Sequence, residues 1–182
     1  MNLYFITGNQ GKFEEIKKLI PEVLQLDIDL PEIQGLDSHE ILKEKLLIAQ
    51  KHSEDAFIVE DTSFTLEGMN GLPGPLSKWF LKSIGNEGIV KLSKIFGTKA
   101  FATSLIGYSD EKGEIMFFEG IIKGSIVEIS GDSSRGFGWD PIFMPDGYDK
   151  SLGQMEPEEK NQVSMRRMAV DKLKEVLKKE LF

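Results

Sequence analysis

The sequence predicts an α/β fold built on a mixed sheet, and two observations support this prediction. Apolar segments with the composition of strands alternate with helical patterns in the first half of the chain. Later, residues 100–108 and 114–123 are strand-like and are joined by the turn-forming segment DEKG. Strands separated by helices pair in parallel, whereas a hairpin adds antiparallel strands, so the sheet is expected to contain both.

The chain begins with a predicted strand, turn and helix. Residues 3–6 are apolar, and an amphipathic helical pattern starts at Phe13. Gly8 and Gly11 permit a tight turn between them. Such a turn directs backbone N–H groups and the positive end of the helix dipole at its ligand, which suits an anion. The spacing fits neither a Walker A loop nor a G-x-G-x-x-G motif, and an ordinary turn explains the local residues equally well.

Further elements follow from periodicity and turn signals. A strand is predicted at residues 23–28, and a helix starts near Ser38, which we expect to be its N-cap. A buried strand at residues 56–59 leads directly into Glu60 and Asp61. The remaining predictions are a long loop at 68–75, helices at 77–84 and 86–96, a short strand at 141–143, and a last helix with Ser164 as N-cap.

Composition limits the classes of function. The 182 residues suit one domain over residues 1–182, and a net charge of −8 disfavours DNA or RNA as a partner. The chain has no Cys and only two His, so any metal should be a hard cation held by carboxylates, most simply Mg²⁺. We find no signal peptide and no apolar run near the ~20 residues of a membrane span, which predicts a cytoplasmic protein without a membrane partner.

Candidate chemical groups lie at the ends of predicted strands. Asp61 follows a strongly apolar strand, where open α/β sheets bind ligands, and could hold a metal or act as a general base. Turn chemistry is the alternative explanation for Asp61-Thr62, but two acids after a buried strand favour a functional role. Glu32, in a Pro-bounded loop, is a candidate second ligand. Lys45 lies beside an apolar helical stripe, where a lysine either extends along the surface to solvent or reaches a cleft.

A second group of residues suggests a nucleobase. Phe137 and Trp139 lie in a Gly-rich loop, where they could form a stacking wall or could simply cover the core. Asp140 could accept hydrogen bonds from a base or ribose. Three cations, Lys160, Arg166 and Arg167, precede or begin the last helix; alone they are best explained as a solvated charge run. Together, the turn, the carboxylates and the aromatic loop suggest a nucleotide.

These motifs resemble those of the inosine triphosphate pyrophosphatase family (XTP/dITP diphosphatases). The matching segments are TGNQGKFEE, LPEIQG, VEDTSF, NGLPGPLSKWF, GFGWDPIF and EKNQVSMRR, which occur in the family's order over nearly the whole chain. The resemblance implies a cytoplasmic homodimer that hydrolyses ITP, dITP and XTP to monophosphate and pyrophosphate with Mg²⁺. It also implies a two-lobed α/β fold around a long mixed sheet, flanked by helices, with the active-site cleft between the lobes.

The resemblance also implies roles for individual residues. Asp61 would activate the attacking water, with Lys12 as the second catalytic residue, and Glu32 and Asp61 would bind Mg²⁺. Phe137 would stack on the base, and Arg166 would contact the purine edge. The implied substrate-binding set is Thr7, Gly8, Asn9, Gln10, Gly11, Lys12, Lys45, Thr62, Phe137, Gly138, Trp139, Asp140, Lys160, Met165 and Arg166.

Two departures from the family pattern affect the expected base pocket. Met165 replaces the usual His and has no N–H donor, and Gln154 replaces a carboxylate. We therefore expect weaker discrimination between bases than is typical of the family. Two alternatives are a Maf-like pyrophosphatase acting on other modified nucleotides, and a nucleotide-binding protein whose catalysis is impaired. The loop GFGWD and Arg166 argue against the first, and the intact Lys12 and Asp61 against the second.

Overall fold

The computed structural model describes residues 2–31, 33–129 and 138–180, which form seven strands and five α-helices. The strands are β1 (Leu3–Ile6), β2 (Leu24–Leu26), β3 (Ala56–Leu66), β4 (Pro73–Gly74), β5 (Lys99–Ser109), β6 (Ile115–Ile126) and β7 (Phe143–Pro145). The helices are α1 (Gln10–Leu19), α2 (Ser38–Ala49), α3 (Ser77–Phe96), α4 (Pro157–Gln162) and α5 (Met165–Glu180). Short 3₁₀ turns occupy Glu67–Met69, Asp140–Ile142 and Leu152–Gln154.

The strands form one sheet in the order β2-β1-β3-β5-β6-β7, with β4 paired to β3. β1 is parallel to both of its neighbours, so that Tyr4 aligns with Leu24 on one side and with Phe57 on the other. β4 is antiparallel to β3, and β7 is antiparallel to β6. The sheet is therefore mixed and flanked by helices, which confirms the predicted fold class.

The chain divides into two compact units. The first unit comprises residues 1–61, 104–120 and 166–182, and the second comprises residues 62–103 and 121–165. Strands β3, β5 and β6 each contribute residues to both units. The single domain predicted over residues 1–182 stays a prediction.

In the first unit, helices cover both faces of β3. Successive strand residues point to opposite faces, so β3 contributes to two separate cores. Ile58 packs in a cluster with Ile16 of α1 and Ala169 of α5. Phe57, the residue before Ile58, points to the other face and packs in a different cluster with Leu42 of α2. The continuous apolar run before Glu60 therefore reflects burial on both sides, as expected for a parallel strand.

The core of the second unit is built around an indole. The Trp139 side chain is 5% exposed and lies between Phe64 and Phe143, at ring-centroid distances of 5.8 and 5.6 Å. The angles between ring planes are 56° and 67°, which are favourable tilted and edge-to-face arrangements. Burial of this ring fixes the position of the short segment that follows the aromatic loop.

Some element boundaries differ from the sequence prediction. Ser38 is not the N-cap of α2, because the Asp37 carboxylate accepts the His39 backbone N–H at 2.8 Å. Residues 141–143 are not a strand: the Ile142 N–H donates to the Trp139 carbonyl at 3.1 Å, which forms a 3₁₀ turn, and β7 starts at Phe143. Neither β4, within the predicted loop, nor α4 was predicted.

The break predicted between two helices is confirmed. Gly85 has φ 64° and ψ −178°, a non-helical conformation inside α3, and the flanking residues are helical. A positive φ is readily adopted by Gly, so the glycine permits the kink.

We predict that Gly68→Ala destabilises the fold. A Cβ at residue 68 would lie 1.7 Å from the Phe96 carbonyl oxygen, and this backbone atom can move only if the end of α3 moves with it. The free energy of unfolding, measured with urea, should fall by about 1–3 kcal/mol or more. Gly35→Ala is the matched control, because nothing lies within 4 Å of its added Cβ. Equal effects of the two substitutions would contradict the prediction.

Candidate functional site

The turn between β1 and α1 is held by its own side chains. The Asn9 side-chain oxygen caps α1 by accepting the Lys12 N–H at 3.0 Å, and the Thr7 hydroxyl oxygen accepts the Asn9 N–H at 3.1 Å. The Thr7 N–H donates to the Leu26 carbonyl at 3.2 Å, and Gln25 donates its side-chain N–H to the Thr7 carbonyl at 3.0 Å. These bonds fix the turn against β2, so the start of α1 has a defined geometry.

Two other predicted residues of the turn have identifiable neighbours. A Cβ on Gly8 would lie 2.9 Å from an Asp27 carboxylate oxygen, so a side chain there would displace Asp27. The Gln10 amide donates to the Glu14 carboxylate at 2.7 Å, along the exposed surface of α1. Gly11 lies in the first turn of the same helix.

Glu60 is a fully buried carboxylate with three charged or polar partners. Its Oε1 accepts the Ser104 hydroxyl at 2.6 Å and the Arg166 Nε–H at 2.7 Å, and its Oε2 lies 3.4 Å from the Lys12 ammonium. Burial alone would raise the pKa of Glu60, but the charges of Arg166 and Lys12, with the two hydrogen bonds, lower it to about 2. Glu60 is therefore ionised at neutral pH.

Arg166 lies between two carboxylates. Its side chain is 2% exposed; Nε donates to Glu60, and the guanidinium also pairs with Glu15. Burial would lower the pKa of Arg166, but the two carboxylates raise it. Lys12, Glu15, Glu60 and Arg166, here called the charge network, contain two positive and two negative side chains. The role predicted for Arg166 at a purine edge stays a prediction.

Asp61, the next residue after Glu60, points to the opposite face of β3. Its Oδ2 accepts the Ser38 hydroxyl at 2.7 Å. Burial raises the pKa of Asp61 above its ordinary value, opposed by the Ser38 hydrogen bond and by the charges of Lys12 and Lys45. Oδ1 accepts no hydrogen bond from the described residues. Asp61 is therefore a carboxylate of increased basicity with one oxygen held and the other available.

Residues 138–140, predicted to form part of the base pocket, lie in the second unit, and each of them makes a different contact. The Asn86 side chain donates to the Gly138 carbonyl at 3.1 Å, and Trp139 is inserted in the core. The Asp140 carboxylate, 4% exposed, accepts the Lys160 ammonium at 2.9 Å. Lys160 thus contacts Asp140, a residue of the predicted pocket. The Trp139 side chain is part of the core, which agrees with the alternative that this aromatic residue covers the core.

The three cations grouped by sequence have different environments. Lys160 pairs with Asp140, and Arg166 is part of the charge network. Arg167 lies on the exposed surface of α5, 3.7 Å from Asp171. The solvated explanation therefore fits Arg167 and not the other two.

The remaining predicted residues in the described ranges are partly or fully buried. Met165 is 5% exposed and packs in the core of the second unit, and Thr62 is half-buried in β3. Gln154, where the family has a carboxylate, accepts the Ser151 N–H at 3.0 Å within a capping box. Glu32 and Phe137, predicted as a metal ligand and as the stacking residue, lie outside the described residues.

Several residues that contact predicted site residues were absent from the predicted set. These are Glu60, Glu15, Ser104 and Ser38. The sequence contained a signal for Glu60, because an acidic residue inside a buried strand requires a cation or several donors. No sequence pattern indicated the contacts of the Ser104 and Ser38 hydroxyls. In the described ranges, no group of three His, Cys, Asp or Glu residues could by itself hold a metal, and no helix is long and apolar enough to cross a membrane.

Comparisons with known proteins cover nearly the whole chain. A model of the Ham1 family matches residues 3–176. The inosine triphosphate pyrophosphatase of Schizosaccharomyces pombe is 39% identical over 184 residues, covering 98% of this chain and 96% of that protein. The protein of the same name from Puccinia graminis f. sp. tritici is 37% identical over 187 residues, covering 96% of each.

Two solved structures of Ham1 proteins have folds similar to that of this chain. The Ham1 protein of Staphylococcus aureus has a TM-score of 0.82 at 28% identity, covering 98% of this chain and 100% of that chain. A HAM1 protein from Coxiella burnetii has a TM-score of 0.84 at 22% identity, with the same coverage. The latter likeness concerns the fold alone.

We predict that Glu60 makes the stability of the chain pH-dependent. Its folded pKa of about 2 is below the ordinary 4.5, so its stabilising contribution is complete above about pH 4.5 and is lost as pH falls toward 2. The difference in unfolding free energy between the original chain and Glu60→Gln should therefore be larger at about pH 6 than at about pH 3. Urea unfolding at both pH values measures it.

Exposed Glu22 provides the control for that comparison. Glu22→Gln should differ little from the original chain at either pH, because exposed substitutions change stability by about 0.5 kcal/mol or less. A difference for Glu60→Gln that is constant, or that grows on acidification, would mean that Glu60 is not ionised in the way described.

Proposed function

Because the chain belongs to the Ham1 family, we propose that it hydrolyses the non-canonical purine nucleoside triphosphates ITP, dITP and XTP to monophosphate and pyrophosphate. One observation carries the proposal: the turn that starts α1 presents Lys12 to the same carboxyl-bearing segment of β3 that contains Asp61. This arrangement combines a phosphate-binding turn with a base. The names of the curated relatives, matched over nearly their whole lengths, support the choice of substrate.

In this proposal, the first unit binds the triphosphate. The turn held by Thr7 and Asn9 leads into the N-terminus of α1, where the positive end of the helix dipole attracts anions. Lys12 and Lys45 add positive charge on the same unit, and the charge of each also acts on Asp61. Chemistry here is mainly the positioning of phosphates and the stabilisation of their charge.

Asp61 acts as the general base in the proposed reaction. Its carboxylate accepts a proton from water while the water oxygen forms a bond to the α-phosphorus. The bond between the α-phosphorus and its bridging oxygen breaks, and pyrophosphate leaves with the electron pair. Burial raises the pKa of Asp61, which strengthens it as a base, and the Ser38 hydroxyl fixes its orientation.

Mg²⁺ is the proposed cofactor, and the groups present fit it. Asp61 keeps Oδ1 without a hydrogen bond from the described residues, and carboxylate oxygens are the ligands that Mg²⁺ prefers. Asp61 and Glu32 would hold the ion, which would neutralise phosphate charge when bound. The absence of Cys leaves no thiolate that would select a softer metal.

Residues from separate parts of the sequence are proposed to contact the base, among them Arg166 at the purine edge. Gly138, Trp139 and Asp140, with Lys160, would form the pocket, and Phe137 would stack on the ring. A 6-keto purine offers an acceptor where adenine offers a donor, so N–H donors at that edge favour inosine and xanthine. Gly8, Gln10, Gly11, Thr62 and Met165 complete the proposed substrate-binding set. We also propose a cytoplasmic homodimer with one catalytic domain over residues 1–182.

Identification of the products tests the proposed reaction. The protein is incubated with Mg²⁺ and, separately, with ITP, XTP, ATP, GTP or UTP, and the products are separated by ion-exchange chromatography. We expect monophosphate and pyrophosphate, with ITP or XTP as the best substrate. Diphosphate and phosphate would overturn the reaction type, UTP as the best substrate would favour a Maf-like specificity, and binding without turnover would indicate an impaired enzyme.

We predict that Asp61→Asn loses activity while the fold is retained. An amide cannot accept the proton from water, so kcat should fall by about 10²–10⁴-fold. Asp171→Asn is the matched control, because Asp171 is exposed on α5 and pairs with surface Arg167. Circular dichroism checks the fold of both variants. Asp61→Asn with near-original kcat would exclude Asp61 as the base.

We predict that Met165→His sharpens base discrimination. Imidazole supplies an N–H donor that Met lacks, and the kcat/KM ratio of ITP over ATP should rise by about tenfold. Met168→His is the control, because Met168 lies on the same helix but is 42% exposed. Thermal unfolding is measured in parallel, since Met165 is buried. An unchanged ratio in a folded Met165→His variant would contradict the prediction.

A further inference from the structure

Glu60 is the buried charged group that the proposed reaction does not use. Both hydrogen bonds to its side chain are made at one oxygen: Oε1 accepts from Ser104 and from Arg166. The other oxygen, Oε2, is buried and accepts no hydrogen bond from the described residues. The carboxylate is therefore fixed at one oxygen and presents the other, with its negative charge, to the side chain that lies nearest.

That side chain is Lys12. The distance from the Lys12 ammonium to Oε2 is 3.4 Å, close enough for a strong charge attraction but without hydrogen-bond geometry. The ammonium therefore keeps its three N–H donors. Lys12 is 19% exposed, whereas Glu60 and Arg166 are 0% and 2% exposed. Of these three side chains, Lys12 is the most exposed.

We propose that Glu60 is a positioning residue that holds the Lys12 ammonium in place while leaving its N–H donors for a phosphate. Arg166 and Ser104 support this role, because they fix the carboxylate and neutralise part of its charge. The inference rests on the proposed function in one respect, which is that Lys12 binds phosphate.

Measurement of pyrophosphate binding in the absence of metal distinguishes the positioning role of Glu60 from two other roles, which are an effect of its charge alone and metal ligation. If Glu60 acted only through its charge, Glu60→Gln would make the site more positive and strengthen pyrophosphate binding. If Glu60 were a metal ligand, the substitution would have no effect in the presence of EDTA. The positioning role alone predicts weaker binding, because Lys12 is no longer held where the phosphate meets it.

The experiment is a double-mutant cycle measured by isothermal titration calorimetry of pyrophosphate in EDTA. The variants are Glu60→Gln, Lys12→Met and the two combined. We expect each single substitution to raise Kd by about tenfold, and the double variant to stay within about twofold of Lys12→Met. Tighter or unchanged pyrophosphate binding by Glu60→Gln would overturn the inference. A double variant whose Kd rises by the product of the two single increases would also overturn it.

Two further variants complete the design. Glu22→Gln removes the same charge from an exposed residue outside the charge network and should not weaken pyrophosphate binding; weakening equal to that of Glu60→Gln would overturn the inference. If Glu60→Gln does not fold by circular dichroism, Ser104→Ala takes its place, since it removes one of the two hydrogen bonds that fix the Glu60 carboxylate without changing any charge. Its Kd should rise by about twofold to threefold, and an unchanged Kd would again overturn the inference.

Failure of this inference is distinguishable from failure of the proposed function. A wild-type chain that converts ITP to monophosphate and pyrophosphate, combined with multiplying effects in the cycle, would overturn only the positioning role. A chain that hydrolyses none of the triphosphates, but gives the expected cycle with pyrophosphate, would overturn only the proposed reaction.

Discussion

The ion pair between Glu60 and Arg166 connects elements that are far apart in sequence. Glu60 belongs to β3 and Arg166 to α5, and the same carboxylate also contacts Ser104 of β5 and Lys12 of α1. Removal of one partner from a buried pair leaves an uncompensated charge, which costs about 3–5 kcal/mol. The ammonium of Lys12, in the first turn of α1, therefore lies against a negative charge in the middle of a different strand.

The features that sequence predicted well are those determined by local physics. The mixed sheet follows from apolar segments separated first by helices and then by a tight turn, and the break in α3 follows from Gly85. The family resemblance rests on short segments of local sequence, and the match over residues 3–176 confirms it. The turn at Thr7 was predicted as a tight turn, and its capping by Asn9 follows from the same local residues.

The features that sequence did not give depend on contacts between distant residues. The hydrogen bond from Arg166 to Glu60 spans 106 positions. The helical period aligns Arg166 with the buried Ala169 and Leu173, and leaves Arg167 off that stripe, but it does not identify Glu60 as the partner. Likewise, Asp37 and Ser38 are both good capping residues; Asp37 caps α2, and the Ser38 hydroxyl donates to Asp61 instead. Tertiary packing determines which of two suitable residues caps a helix, and local sequence patterns do not encode that packing.

The ionisation state of Glu60 tests the account most directly. The carboxyl carbon of Glu60 can be followed by ¹³C NMR during a pH titration, with assignment from the Glu60→Gln spectrum. The charge network predicts that the resonance stays at the ionised position from neutral pH to well below 4.5, because the pKa is lowered to about 2. A midpoint at or above 4.5 would show that Arg166 and Lys12 do not hold an anion there, and would contradict the central role given to Glu60.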